Sequence, residues 1–340
     1  MSRPHAILRA GFPYLKTLGM RRITSFPVDM AIGPDDAYYV ISRVGAISKL
    51  PWEDQGDNWD EFLPKMGGRG AEDGKFIWPV AMLLDGDDTL FISDEALHRI
   101  TLMSTDGEFI SKWGEHGSGD GQLDRPSGIA FDSNGNLLVV DTLNHRVQKF
   151  TRYGKFMAGW GTHGAGDGEF DMPWGIAVDA AGDVYVGDWR NDRVQTFSPD
   201  GKFLFSFGRS GSGDGELNRP AGVAVDADGD IYVADAGNDR VQLFDPDGQY
   251  VEKFIGDATL SNMARVYLMA NPLPLRLRQM SNLEPQKRLR DPRSVRIDDR
   301  GRMFVPDYGS FRVQVYQKEA IPLTSEQIAP PPRSPILFTN

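Results

Sequence analysis

Short apolar runs of four to six residues, rich in Val, Ile, Tyr and Phe, alternate along this chain with turns built from Gly, Asp and Asn. One consecutive set is "GIAVD" (175–179), "VYVGD" (184–188), "RVQTF" (193–197) and "FLFSFG" (203–208). Runs this short, rich in β-branched and aromatic residues and bounded by turn formers, read as β-strands. The turn "D-x-x-G-D/N" between the first two supplies a glycine where a hairpin needs positive φ. It also supplies Asp or Asn side chains that bond the turn backbone.

The set recurs. "VVDTLNHRVQKF" (139–150) returns as "VGDWRNDRVQTF" (186–197), "VADAGNDRVQLF" (233–244) and "VPDYGSFRVQVY" (305–316), and more loosely as "ISDEALHRITLM" (92–103). Proline-led segments precede the copies, starting at Pro27, Pro79, Pro126, Pro173, Pro220 and Pro292. The middle four are 47 residues apart, while 27 to 79 is 52 and 220 to 292 is 72. A four-stranded unit cannot bury both faces alone, so six copies predict an all-β, six-bladed β-propeller of four-stranded blades. The sixth copy stops after "RVQVY", and "YLKTLG" (14–19) resembles the fourth-strand segments "ISKWG" and "LFSFG". This N-terminal strand (14–19) is expected to complete the last blade, closing the ring and removing two open edges.

The propeller is expected to be a single domain over 1–318, followed by a Pro-rich tail at 319–340. Two insertions break the period, at 51–66 and 257–290. In the second, "LSNMARVYLM" predicts a short amphipathic helix capped by Ser261 or Asn262 and stopped before Pro272. Its apolar residues suit a lid over the propeller mouth or self-association, and its basic run suits an acidic partner.

The pattern P-x-G-[IV]-A-[FV]-D, then Y-V-[AG]-D-x-x-N-x-R-V-Q-x-F, resembles the NHL repeat. That resemblance covers roughly residues 14–317 and implies a six-bladed propeller. Residues that recur at equivalent depth in each blade are expected to serve the fold. They are Asp141, Asp188, Asp235 and Asp307 with Arg146, Arg193, Arg240 and Arg312, a hydrogen-bonding set for the loop after the second strand. "GSGDG" and "GAGDG" are read as blade linkers, because no helix follows to cradle a phosphate. "DADGDIYVADAG" (226–237) imitates the start of a calcium loop but has Gly237 where the bidentate Glu belongs.

Function is sought where the repeat fails. The residue after each leading proline is Val28, Val80, Ser127, Trp174, Ala221 or Arg293. The loops after the second strands begin Arg43, Glu95, Thr142, Trp189-Arg190, Ala236 and Tyr308. In such propellers the inner strands line a channel and these loops crown one face. An axial pocket is therefore expected, with Arg43, Asp29, His98 and Tyr308 as candidate catalytic residues. Arg293, Trp174, Trp189, Arg190, Glu95 and Thr142 are the candidate substrate contacts. Aromatic walls with a few arginines suit a small anionic ligand; ordinary surface loops are the alternative. Asp29 stands where the inner strand usually has glycine, as a base, a substrate anchor or an ion-pair partner of Arg43. His98 and His145 are equivalent, either a base at the pocket rim or a shared structural place.

The chain also distantly resembles the peptidyl-α-hydroxyglycine α-amidating lyases, a resemblance that implies the family's assisting arginine at Arg43. The family's zinc histidines correspond to Val80, Trp174 and Arg293, and its tyrosine falls near Thr142 or Leu143. A three-histidine zinc site is therefore not expected, nor any other metal or cofactor.

Bulk composition narrows this further. The absence of cysteine excludes disulfides, thiol catalysis and Cys-ligated zinc. A net charge of −11 makes nucleic acid an unlikely partner. With no signal-peptide core and no apolar run of spanning length, a cytoplasmic protein without membrane contact is expected. The reading is a small-molecule enzyme of lyase or hydrolase type. The alternative is a non-catalytic scaffold binding a protein or peptide, and less readily RNA, through one face.

Overall fold

A computed structural model describes residues 7–53, 66–280 and 282–323. Six antiparallel four-stranded sheets stand in a ring. Five inner strands begin on their leading proline, at Pro27, Pro79, Pro126, Pro173 and Pro220. Proline is tolerated there because it lacks only a ladder donor that a strand's first residue need not supply. The sixth inner strand is short, Arg296–Ile297, with Pro292 bridging to Asp307. Inner strands of successive blades contact one another, and the sixth blade returns to the first.

Ring closure follows the expected course. Tyr14–Leu18 pairs antiparallel with Arg312–Gln317 as the outer strand of blade six. The strand also brings apolar surface, because Leu18 is fully buried between blades six and one. A second seal lies outside the ring, where Ile7–Gly11 pairs with Glu319–Pro322.

Six apolar clusters hold the structure, one at each junction of neighbouring blades. Each sheet is thus apolar on both faces and finds its core against the next sheet. The linkers add wedges, and Phe76, Leu123, Phe170 and Leu217 are each fully buried. Glycine in "P-x-G" has a steric cause: a Cβ on Gly175 would stand 2.2 Å from the Ala221 carbonyl oxygen. Inner strands converge too closely at the axis for a side chain there.

The 257–290 insertion holds three helices, α1 (Asn262–Met269), α2 (Pro272–Gln279) and α3 (Glu284–Lys287). Ser261 caps α1, its hydroxyl accepting from the Ala264 amide at 3.1 Å, and Met263 enters the core between blades six and one. Most of the 51–66 insertion lies outside the described residues. Among the described residues no helix is long and apolar enough to cross a membrane.

Candidate functional site

The crown loops owe their shape to the repeated polar module. Asp141 is fully buried, and its Oδ1 accepts from the Asp124 amide at 2.6 Å. Its Oδ2 accepts from Asn144, Arg146 and Gln148 at 2.8, 2.8 and 3.0 Å. Arg146 and Gln148 then reach back to carbonyls of the preceding glycine-rich linker. Asp188 and Asp235 repeat the arrangement. Burial pushes the Asp141, Asp188 and Asp235 carboxyls above the ordinary range, against the pull of their partners. The module clamps each loop to its linker, and so fixes the non-repeating residue that follows each aspartate.

On the axis, Asp29 is 1% exposed. Its Oδ1 accepts from Arg296 Nε at 2.9 Å and from the Ser294 hydroxyl at 2.5 Å, and its Oδ2 from the Met82 amide at 2.8 Å. A second guanidinium nitrogen of Arg296 also reaches Oδ2. The ion-pair partner of Asp29 is thus Arg296 and not Arg43, and both carboxylate oxygens are engaged. This pair ties blades six, one and two together across the axis. The axial cavity has a volume of about 30 Å³, room for roughly two waters. The axis itself therefore holds little open space. Val80, Trp174 and Arg293 do meet at the axis, but none carries an imidazole.

On the crown of blades one to three, Glu95 is the centre. Arg43 donates to it at 2.9 Å and Arg125 at 3.4 Å, and both guanidiniums lie over Trp78. Glu95 is 6% exposed, so Arg43 is neutralised by a buried partner.

The opposite side of the crown holds an open pocket of about 330 Å³. Trp174, Trp189, Arg219, Ala221, Ala236, Gly237, Asp291 and Arg293 line it. The two indoles lie 6.3 Å apart and are tilted by 33°, and Arg219 stands over Trp189 at 4.9 Å. Arg293 bonds Asp291 Oδ2 through Nε and Nη2, at 2.9 and 2.7 Å. It also packs 3.9 Å above Tyr308, which places Tyr308 beside the pocket. Alanine and glycine at 221, 236 and 237 make the space. None of the lining residues belongs to α1, α2 or α3.

Three further candidates lie apart. Thr142 is 1% exposed and bonds Ser127 and the Pro173 carbonyl, at 2.7 and 2.9 Å. It joins blades three and four and is closed to a ligand. Arg190 is exposed and outside the pocket lining. His98 accepts at Nδ1 from the Arg125 amide at 3.1 Å, as His145 does from Met172. Asp192 and Asp239 perform the same task in the next blades, which is the shared structural place.

Arg219, Asp291, Arg125 and Arg296 are the functional-type residues that sequence reasoning missed. Three of them directly precede a leading proline, with φ of 56°, 51° and 55° for Arg219, Asp291 and Arg125. The sequence signal was that position, read blade by blade.

The NHL repeat profile matches residues 123–150, 170–197 and 217–244, the third to fifth copies of the module. The chain carries NHL repeats within a six-bladed propeller. No curated protein matches the chain in sequence. Among solved structures, this NHL-repeat propeller resembles virginiamycin B lyase from Staphylococcus aureus at 12% identity, over 93% of this chain and 87% of that one, with a TM-score of 0.53. It also resembles a gluconolactonase from Xanthomonas campestris at 13% identity, over 92% and 100%, with a TM-score of 0.57. A chain of a nidogen/laminin complex matches at 17% identity, over 68% and 80%, with a TM-score of 0.50. At such identities these likenesses establish the fold.

Proposed function

We propose that this NHL-repeat propeller binds a small anionic organic molecule in the crown pocket of blades four to six, and turns it over by lyase- or hydrolase-type chemistry. One observation carries the reading: two tryptophans and two arginines converge on a cavity of about 330 Å³, within the range of small-molecule sites. Indole faces stack on a flat ligand, and the guanidinium forks take its carboxylate or other oxyanion. Asp291 is the carboxylate in the lining, and Arg293 occupies only its Oδ2. Its Oδ1 is the atom we assign to accept a substrate proton, with Tyr308 and Arg293 holding the pair in place. Propellers of similar shape include a lyase and a lactonase, which supports the reaction class by analogy alone.

The test is a thermal-shift screen of organic acids against the wild type and the Arg293→Ala and Trp174→Ala variants. Hits should bind at least about tenfold more weakly to either variant. Mass spectrometry should show a product from one of them that Asp291→Asn does not form. Acids that bind the variants as well as the wild type refute the site. A second reading, a protein-binding scaffold, is favoured by one feature, the exposure of Met269, Leu273 and Met280 on and beside α1 and α2. Loss of partner capture on substituting those residues, with acid binding absent, would select it.

A further inference from the structure

Four of the chain's five histidines come together in two pairs, each facing an aspartate at a blade junction. His98, His116 and Asp124 lie between blades two and three. His145, His163 and Asp171 lie between blades three and four, each 47 residues from its counterpart. In each group, one nitrogen or oxygen from every residue lies within 4.8 Å of the others. Asp124 Oδ1 is 3.4 Å from His98 Nδ1 and 3.7 Å from His116 Nε2. Asp171 Oδ1 is 3.8 Å from His145 Nδ1 and 3.9 Å from His163 Nε2. Ligands held about 2.0–2.1 Å from a tetrahedral zinc ion stand roughly 3.3–3.4 Å apart. Small side-chain rotations therefore bring each set to bonding geometry.

The structural task of the loop histidine does not account for the set. Asp192 accepts the next blade's amide as His98 and His145 do. At that junction the linker and wedge positions are Ser210 and Asn218, not His and Asp. The linker histidine thus appears only where the loop residue is also histidine. Asp171 Oδ1 is itself buried and accepts no hydrogen bond. Both linker rings remain open to solvent, His116 at 66% and His163 at 67% side-chain exposure, which provides an entry path. Burial, helped by the neighbouring ring, lowers the His98 and His145 pKa values, favouring the neutral imidazole that a metal needs.

We propose that the two His–His–Asp groups are a matched pair of binding sites for a divalent transition-metal ion of the zinc class. Nδ1 of the loop histidine, Nε2 of the linker histidine and one carboxylate oxygen supply the protein ligands, and water completes the shell. Binding redirects the Nδ1 lone pair from the Arg125 or Met172 amide to the ion. Each site thus exchanges one hydrogen bond for metal bonds, and the ions staple blades two, three and four along their upper edges.

Chelator-treated protein titrated with cobalt chloride, followed by d–d absorption, and with zinc chloride by calorimetry, tests this. Two ions per chain are expected for the wild type and for a His5→Ala control. One ion is expected for His116→Ala or His163→Ala, and none for the double variant. The exposed linker positions make these substitutions harmless to folding, which circular dichroism verifies. Zinc should raise the melting temperature of the wild type and not of the double variant. Saturation of the wild type at any number other than two, or binding that persists in the double variant, overturns the proposal. Neither outcome depends on the crown pocket having a ligand.

Discussion

The ammonium of Lys318 lies 2.9 Å from Oδ2 of Asp230, and 2.6 and 2.8 Å from Asp226 and Asp228. The acidic turn that imitates a calcium loop in sequence is filled by Lys318, which directly follows the last blade's strand Arg312–Gln317. Burial alone would lower the Lys318 pKa, but its three carboxylate partners outweigh burial and raise it. Arg9 adds a second cation to Asp230, so the segments around Arg9 and Lys318 are both pinned to blade five.

Lys318→Met should therefore be costly, because it leaves three carboxylates facing each other with Asp230 almost wholly buried. Breaking a buried pair from one side costs about 3–5 kcal/mol. Denaturant unfolding should register that loss. Millimolar calcium should restore part of the melting temperature in the variant and leave the wild type unchanged.

Leu18→Ala tests the closure. Leu18 is fully buried where the N-terminal strand meets the core of blades six and one, so truncation to Ala should cost about 2–5 kcal/mol. Tyr14 pairs with Tyr316 in the same strand alignment. Removing residues 1–19 should consequently lower the melting temperature well beyond the effect of Leu18→Ala. A truncated chain that melts with the wild type would mean that the outer strand does not fasten the ring.

Asp36 ties blade one to blade six from the turn on the opposite face. Hydrogen bonds, chiefly from Arg302 and then from Tyr38 and Arg300, hold its carboxyl at about 2. The folded value lies below the unfolded one of 3.8. Its stabilisation is therefore complete above pH 3.8 and is lost as the pH falls towards 2. For a partly exposed group the contribution is about 1–2 kcal/mol. Asp36→Asn should lower stability at pH 7 by that amount, and should flatten the acid limb of a stability-against-pH curve over that window.

The fold was legible because its signals repeat: strand period, turn glycine, leading proline and the Asp–Asn–Arg–Gln module each occur several times. The closing strand was legible for the same reason, as a fourth strand without a blade. The site was less so, because repetition says which loops share a face but not which side chains meet. Asp29 stood out as a residue where glycine belongs. Its partner Arg296 did not, since it lies on the shortest inner strand and reaches across the axis. Arg43 looked available to an anion until Glu95 from the next blade was seen beneath it. The paired histidines were readable: His-x17-His with an aspartate eight residues further on occurs at 98 and again at 145. The sequence does not show that each linker histidine folds back against its loop histidine, with ring centres 4.3 and 4.4 Å apart.

Arg43 and Arg293 give the sharpest contrast between the two sides of the crown. Arg43 neutralises Glu95, whose side chain is 8% exposed, with Arg125 more distant at 3.4 Å. Arg43→Ala leaves that carboxylate with one weaker partner, so unfolding free energy should fall by about 1–3 kcal/mol. Acid binding should stay within about twofold of wild type, since Arg43 does not line the pocket. Arg293 pairs with Asp291, whose side chain is 40% exposed, so Arg293→Ala should cost stability about 1 kcal/mol or less. It should weaken acid binding at least about tenfold. Chemical denaturation and isothermal titration on the two variants measure both quantities. Loss of binding in Arg43→Ala with retention in Arg293→Ala would move the site to blades one to three.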